Sequence, residues 1–87
     1  MFFVYVLENK TGKYYIGQTN DILKRLQRHN SHRVKYTSFD SGSWKLVYKE
    51  EYATRSEAMR RETYLKNLKS KVQIKKLIYL NSDNNNI

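Results

Sequence analysis

The N-terminal part of the chain contains two short runs of strand-forming side chains on either side of a polar turn. Residues 2–8 (FFVYVLE) are aromatic or aliphatic up to the final glutamate, and residues 13–17 (KYYIG) form the second run. Residues of these types favour strands. Residues 9–12 have the composition of a turn, which is short enough to bring the two runs together. The sequence therefore predicts a β-hairpin with Tyr5 and Tyr15 on neighbouring strands.

A basic helix is predicted directly after the hairpin. Asn20 or Thr19 can cap a helix over residues 21–30 by accepting a hydrogen bond from its first backbone amides. The apolar side chains of this helix are Ile22, Leu23 and Leu26. Residues 31–43 are polar, which is typical of an irregular loop.

A third strand is predicted over residues 44–52 (WKLVYKEEY). Successive side chains of a strand point to opposite faces of its sheet. We therefore expect Trp44, Leu46 and Tyr48 to share one face of this strand.

The rest of the chain predicts two helices. Thr54 and Glu57 match a capping box, which begins a helix that extends to about residue 68. A further helix covers about residues 71–80, where apolar residues recur at helical spacing, and residues 81–87 form a polar tail. The order β-β-α-β-α-α predicts an α+β fold, with a three-stranded antiparallel sheet flanked by helices in one domain over residues 1–80.

Composition and charge limit the function classes. The chain has 87 residues and no cysteine, so a disulfide framework and a thiolate zinc site are excluded. A reducing cytoplasm suits such a chain. The N-terminal apolar run is too short to span a bilayer and has no basic leader, so neither membrane insertion nor secretion is predicted. The net charge of +9 indicates a polyanionic partner, with nucleic acid ahead of an anionic membrane surface, although basic residues can also serve solubility alone.

The basic residues are concentrated in two blocks. Residues 22–39 contain five Lys and Arg and no acid, and residues 58–82 contain seven, with Glu62 as their single acid. Two basic blocks around one carboxylate favour a phosphate-binding surface over general solvation. The residues predicted to contact nucleic acid are Lys13, Lys24, Arg28, Arg33, Lys35, Arg61, Lys66 and Lys69.

Glu62 lies on an inward-leaning face of its helix, because Ala58, Glu62 and Leu65 follow the spacing of one helical stripe. A carboxylate in such a position is costly unless a cation or a metal ion accompanies it. Two explanations are open: a structural ion pair with Arg25 or a lysine, and a metal ligand at the bottom of a basic cleft.

Arg25 and His29 share a face of the first helix, because they lie four residues apart. The planar guanidinium of Arg25 suits phosphate oxygens, but an ordinary surface arginine would look the same in the sequence. His29 taken alone indicates a structural role. His29 and His32 without a third ligand are weak grounds for a metal site.

These residues together resemble the motifs of the GIY-YIG nuclease superfamily, specifically its small stand-alone members. The second half of the family's strand motif is intact as Tyr15, Ile16 and Gly17, whereas the first half retains only Tyr5. The glycine and isoleucine of that first half are replaced by bulkier residues.

The helical motifs of the family are matched as well. Arg25 and His29 correspond to its arginine followed four residues later by His or Tyr, and Glu62 corresponds to its helix-borne glutamate. The resemblance covers about residues 3–80. It implies a three-stranded antiparallel sheet flanked by helices, which agrees with the element order above.

The resemblance implies a metal-dependent endonuclease that acts on nucleic acid, DNA in preference to RNA, with little sequence specificity. Tyr5 is then the general base, which requires its pKa to fall from about 10. Arg25 holds the scissile phosphate, while Tyr15 and His29 orient water or phosphate. Glu62 holds one Mg²⁺ or Mn²⁺ ion, weakly in the absence of substrate.

Two other function classes are compatible with the sequence. One is a non-catalytic nucleic-acid-binding module on the same fold, and the other is an interaction domain that is merely basic. Metal-dependent nicking separates the enzyme from the binding module, and salt-dependent binding separates both from the third class. The sequence leaves the oligomeric state open.

Overall fold

The computed structural model of the protein describes residues 1–30 and 44–85, with the side chains of residues 81–85 left out. The predicted loop and the candidate contacts Arg33 and Lys35 lie outside this part of the chain.

Within the described residues, the elements are β1 Phe2–Glu8, β2 Tyr14–Thr19, α1 Ile22–Asn30, β3 Lys45–Tyr52, α2 Arg55–Leu68 and α3 Lys71–Asn85. The strands form one antiparallel sheet in the order β2-β1-β3, so the predicted α+β fold and its element order are confirmed. None of the helices described is long and apolar enough to cross a membrane.

The central strand β1 is buried on both faces of the sheet. Val4 and Val6 pack on one face in a cluster that includes residues of α2 and α3. Tyr5 and Leu7 pack on the other face, in a cluster that includes residues of α1. These four side chains are at most 1% exposed. The sheet is therefore the middle of three layers, with α1 on one side and α2 and α3 on the other.

The expectation that Trp44, Leu46 and Tyr48 share one face is wrong, because β3 contains a bulge. Its pairing with β1 shifts register and leaves Val47 as an extra residue. An extra residue interrupts the alternation of side chains along a strand. Trp44 and Leu46 consequently pack in the cluster of Tyr5, whereas Tyr48 packs on the opposite face.

The first helix is capped by Asp21, not by the predicted Asn20 or Thr19. Asp21 Oδ1 accepts a hydrogen bond from the backbone amide of Lys24 at 3.1 Å. Thr19 is buried, and its hydroxyl accepts the amide of Asp21 itself at 3.1 Å. The threonine therefore shapes the turn before the helix, and the aspartate satisfies the helix amide.

The second helix begins at the predicted capping box. The Thr54 hydroxyl accepts the Glu57 amide at 3.2 Å and donates to the Glu57 carboxylate at 3.0 Å. The third helix continues past the predicted end near Leu80 to Asn85. Once a helix has formed, each further residue adds one hydrogen bond, and Asn, Ser and Asp oppose this by only about 0.7 kcal/mol each.

One carboxylate joins α2 to β3. Glu50 accepts hydrogen bonds from Nε and Nη2 of Arg61 at 2.9 and 3.0 Å, from the Tyr52 hydroxyl at 2.6 Å and from the Tyr48 hydroxyl. Burial alone would raise the pKa of Glu50, but the hydrogen bonds from Arg61 and both tyrosines outweigh burial and lower this pKa. Arg61 thus has a structural partner, and its contact with nucleic acid stays a prediction.

We expect Glu50→Gln to lower the free energy of unfolding by about 1–3 kcal/mol near neutral pH, because hydrogen bonds to a carboxylate become bonds to a neutral amide. A carboxyl group whose pKa is lowered on folding stabilises the protein above its unfolded pKa, here 4.5, and loses this contribution as the pH falls through its folded pKa. The difference between wild type and variant should therefore be constant above about pH 6 and shrink in acid.

Urea unfolding followed by circular dichroism over a pH series measures this difference. Glu51→Gln, at the exposed neighbouring position of the same strand, is the matched control. A wild-type advantage over Glu50→Gln that persists unchanged in acid would contradict the role of the Glu50 carboxylate.

Candidate active site

Tyr5 reaches the edge of the sheet by lying across Gly17. The two residues are partners in the register of β1 with β2, and β2 is an edge strand. A Cβ atom at Gly17 would lie 2.5 Å from the Tyr5 hydroxyl oxygen and 2.7 Å from its Cζ. These distances are shorter than any van der Waals contact. Glycine is needed here for space, because it lets the phenol rest against the backbone of β2.

Three rings meet beside this glycine. The centroids of Tyr5 and Tyr15 are 6.3 Å apart, and those of Tyr15 and His29 are 4.5 Å apart. The Tyr5 hydroxyl lies 3.1 Å from Nε2 of His29, in a hydrogen bond between side chains that are 1% and 0% exposed. Tyr5 and Tyr15, which the sequence predicts on neighbouring strands, therefore project to the same side of the sheet, beside α1.

Both groups of this hydrogen bond are neutral at pH 7. Burial lowers the pKa of His29 to about 4, with the positive charges of Arg25 and Arg28 acting in the same direction. Burial raises the pKa of Tyr5, Tyr15 adds to the increase, and Arg25 opposes it. A neutral imidazole has one donor and one acceptor nitrogen. In the free protein, the phenol and the imidazole therefore form an uncharged pair.

Two charged side chains act on Tyr5 from opposite faces of the sheet. Arg25 of α1 lowers the pKa of the phenol by its charge and by hydrogen bonding, and Glu62 of α2 raises that pKa. Helices on opposite faces can influence the same hydroxyl because the hydroxyl lies at the edge strand. The predicted residues Tyr5, Tyr15, Arg25, His29 and Glu62 are thus brought to one region.

In the free protein, Glu62 is paired with a lysine, which was one of the two explanations of its position. Its Oε2 lies 2.9 Å from Nζ of Lys66, one helical turn further along α2. The carboxylate side chain is 20% exposed and that of the lysine 51%. Such a pair on a helix surface contributes about 0.3–0.5 kcal/mol. This is too little to keep a divalent cation from the carboxylate.

The donor set at Glu62 fits one kind of cation. Among the described residues, no group of three or more His, Asp or Glu side chains is arranged to hold a metal. The His29 ring is buried against the tyrosines, and His32 lies outside the described residues. Mg²⁺ and similar hard cations bind through one or two carboxylates plus water and substrate phosphate. The residues present therefore fit a weakly held ion of this type.

The predicted nucleic-acid contacts fall into separate groups. Lys24 and Arg28 are exposed on α1. A cavity of about 350 Å³ is lined by Lys13, Lys66 and Lys69. Tyr14 and Lys71 line the same cavity and were missed by the sequence reasoning. Lys71 belongs to the second basic block, but its approach to the hairpin depends on how α3 packs.

Comparisons with known proteins found a matching family model, similar relatives and a similar solved structure. A family model described as the GIY-YIG catalytic domain matches residues 1–77. The UPF0213 protein of Streptococcus pneumoniae is 40% identical over 84 residues, which cover 95% of this chain and 83% of the relative. UPF0213 protein YazA of Bacillus subtilis is 37% identical over 84 residues, which cover 95% and 81%. The solution NMR structure of UPF0213 protein BH0048 from Bacillus halodurans is similar with a TM-score of 0.58 and 36% identity, covering 92% of this chain and 85% of that one.

We expect Gly17→Ala to destabilise the protein, although replacing glycine by alanine within a strand ordinarily stabilises it by about 0.5–1 kcal/mol. The added methyl group would meet the buried phenol of Tyr5 at 2.5 Å, so the ring or the strand must move. Overpacking of this kind costs about 1–3 kcal/mol. The free energy of unfolding in urea, measured for wild type and variant, shows directly whether the substitution destabilises the protein.

A double-mutant cycle isolates the cause. In a Tyr5→Leu background, the alanine at position 17 should cost little, because the hydroxyl and Cζ that it meets are gone. An equal cost of Gly17→Ala in both backgrounds would show that Gly17 is required for a reason other than space for Tyr5.

Proposed function

The chain belongs to the GIY-YIG family, and on this premise we propose that it is a metal-dependent endonuclease that hydrolyses phosphodiester bonds of nucleic acid. One observation carries the proposal: the Tyr5 hydroxyl lies over the bare backbone of Gly17 and 3.1 Å from Nε2 of His29, where Arg25 and Glu62 both affect its pKa. A base, a phosphate-binding cation and a carboxylate for a metal ion are the groups that this hydrolysis needs. DNA is the proposed substrate, with little sequence specificity, because one small domain leaves little surface for reading bases.

Arg25 is the proposed ligand of the scissile phosphate. Its guanidinium is permanently charged and presents parallel N–H groups that match two phosphate oxygens. Negative charge builds up on these oxygens during the attack of water, so a cation fixed beside them stabilises the transition state. The charge of Arg25 lowers the pKa of Tyr5, which indicates that the phosphate-binding group lies near the base.

Tyr5 is the proposed base. Because the pKa of Tyr5 is raised in the free protein, the site must supply positive charge that lowers it. In the free protein, the carboxylate of Glu62 adds to the effect of burial and makes the phenol harder to ionise. Glu62 would hold a divalent cation, whose positive charge would oppose the effect of the carboxylate on the pKa of Tyr5. Once its own proton has been lost to solvent, the Tyr5 phenolate would take a proton from the attacking water.

His29 is the proposed positioning residue for Tyr5. The acceptor nitrogen of one imidazole tautomer binds the protonated phenol, and the N–H of the other tautomer donates to the phenolate. The same contact of 3.1 Å can therefore hold Tyr5 in either protonation state. Since the pKa of His29 is about 4, this ring stays neutral and does not compete for protons near pH 7. Tyr15 packs against the ring and limits its rotation.

We expect Glu62→Gln to remove Mg²⁺-dependent cleavage, by a factor of about 10²–10³ or more, while binding of nucleic acid is retained. The matched control is Glu57→Gln, on the same helix. It should leave cleavage intact and change the stability little, because the Thr54 hydroxyl still accepts the amide of residue 57 and Gln can occupy the same position of a capping box.

Cleavage is measured on single-stranded, duplex, flap and junction substrates with Mg²⁺, Mn²⁺ or EDTA. Full activity of Glu62→Gln, or loss of activity in the Glu57 control alone, would overturn the assignment of the metal ligand. A wild-type protein that binds these substrates and cleaves none of them is the non-catalytic module.

We expect the cleavage rate to rise about tenfold per pH unit between roughly pH 7 and 9, because burial raises the pKa of Tyr5 and leaves little phenolate at neutral pH. Fluorination of the ring at position 5 makes a phenol more acidic and should move the profile to lower pH. The same modification at Tyr15 should leave the profile where it is. A profile that responds only to modification of Tyr15, or to neither, would assign the base to another group.

A further inference from the structure

We propose that a groove of four lysines next to the catalytic residues binds the backbone phosphates adjoining the scissile one. This lysine groove is defined by Lys13, Lys66, Lys69 and Lys71, with Tyr14 on its wall. The inference rests on the proposed function, since it assigns the path of the same nucleic-acid strand beyond the reacting phosphate. It adds Lys71 and Tyr14, which the family motifs do not include, to the substrate-binding surface.

The lysine groove lies between the hairpin and the junction of α2 and α3. Its floor contains Leu65 and Ile74, which are buried, and its volume is about 350 Å³. Nζ of Lys71 lies 5.9 Å from the centroid of the Tyr14 ring and 3.6 Å from the position that a Cβ of Gly12 would occupy. This side chain therefore extends from α3 to the turn of the hairpin.

Among the residues that the structure describes, the charged ones that line the groove are all lysines. One of them, Lys66, also contacts Glu62 at 2.9 Å, and this carboxylate is not part of the lining. Ammonium groups around one cavity repel one another, by about 1 kcal/mol for a pair at 4 Å in water and less with distance. Backbone phosphates would relieve this repulsion and release their own counterions. Lysines that serve solubility alone need not lie around one cavity, whereas these lysines come from a hairpin and two helices and line the same cavity.

The groove is continuous with the proposed catalytic site. A second cavity is lined by Tyr14, Tyr15, Ile16 and Lys66, so it shares three of these residues with the groove. At its other end, the ring of Tyr15 is 4.5 Å from that of His29. A strand that follows the edge of β2 would thus pass from the catalytic residues into the lysine groove, with Lys66 at the boundary.

The test compares two double variants that remove the same charge from the same region of sequence. Lys69→Gln with Lys71→Gln changes the groove, and Lys75→Gln with Lys76→Gln changes exposed lysines of α3 that do not line it. Glutamine keeps most of each side chain, and at Lys69 it faces the same left-handed backbone conformation, φ 49°, as the lysine does. All proteins also carry Glu62→Gln, so that the probe stays intact.

The probe is a fluorescein-labelled thymidine 12-mer, and its anisotropy gives the affinity over a range of salt concentrations. Each phosphate contact on a single strand contributes about 0.7 to the slope of log K against log salt. The groove variant should lower this slope by about 1.4 and the affinity by at least tenfold, whereas the control pair should lower the slope by less than half as much.

The outcomes separate the two proposals. If the parent protein, which carries Glu62→Gln alone, fails to bind the probe at low salt, the proposed function itself is wrong. If this parent binds and both double variants weaken binding equally, binding reflects net charge, and the lysine groove alone is overturned. Circular dichroism of both variants controls for folding.

Discussion

The contact between the phenol of Tyr5 and the bare backbone of Gly17 is the constraint on which the candidate site depends. The ring of Tyr5 packs in one of the two hydrophobic clusters. Because position 17 has no side chain, the hydroxyl of Tyr5 lies over the edge strand. At that edge, Arg25 from one face of the sheet and Glu62 from the other act on the same group. Every chemical role proposed for the site follows from this placement.

The orientation of α2 depends on a second interaction, remote from the rings. Arg61 directly precedes Glu62, and the two side chains point about 100° apart around the helix axis. Since Arg61 is held by two hydrogen bonds to Glu50 of β3, the helix cannot turn about its axis without breaking them. The structural ion pair thereby directs its neighbour, Glu62, toward the site. Arg61 therefore has a structural role through Glu50, and its contact with nucleic acid stays a prediction.

Features that follow from local sequence patterns could be predicted from the sequence. Features that depend on the packing of distant segments could not. Strand alternation and a short turn were enough to place Tyr5 and Tyr15 together, and the family motifs supplied the rest of the set. The bulge at Val47 depends on how two distant strands pair, which no local pattern of β3 reveals. The sequence indicates that a metal ion and nearby cations must lower the pKa of Tyr5 from about 10, and only the folded structure shows that burial raises this pKa in the free protein. The approach of Lys71 to the hairpin likewise exists only in the folded chain.

The bulge in β3 also gives the molecule an optical property. The chain has a single tryptophan, Trp44, and the register shift at Val47 places it in the cluster of Tyr5, with its ring 6.5 Å from that of Tyr15. Its side chain is 2% exposed, so its emission is sensitive to any entry of water into this cluster. The cluster on the opposite face contains no tryptophan and emits only through its tyrosines. Tryptophan fluorescence of the unmodified protein therefore reports selectively on the face of the sheet that carries the site.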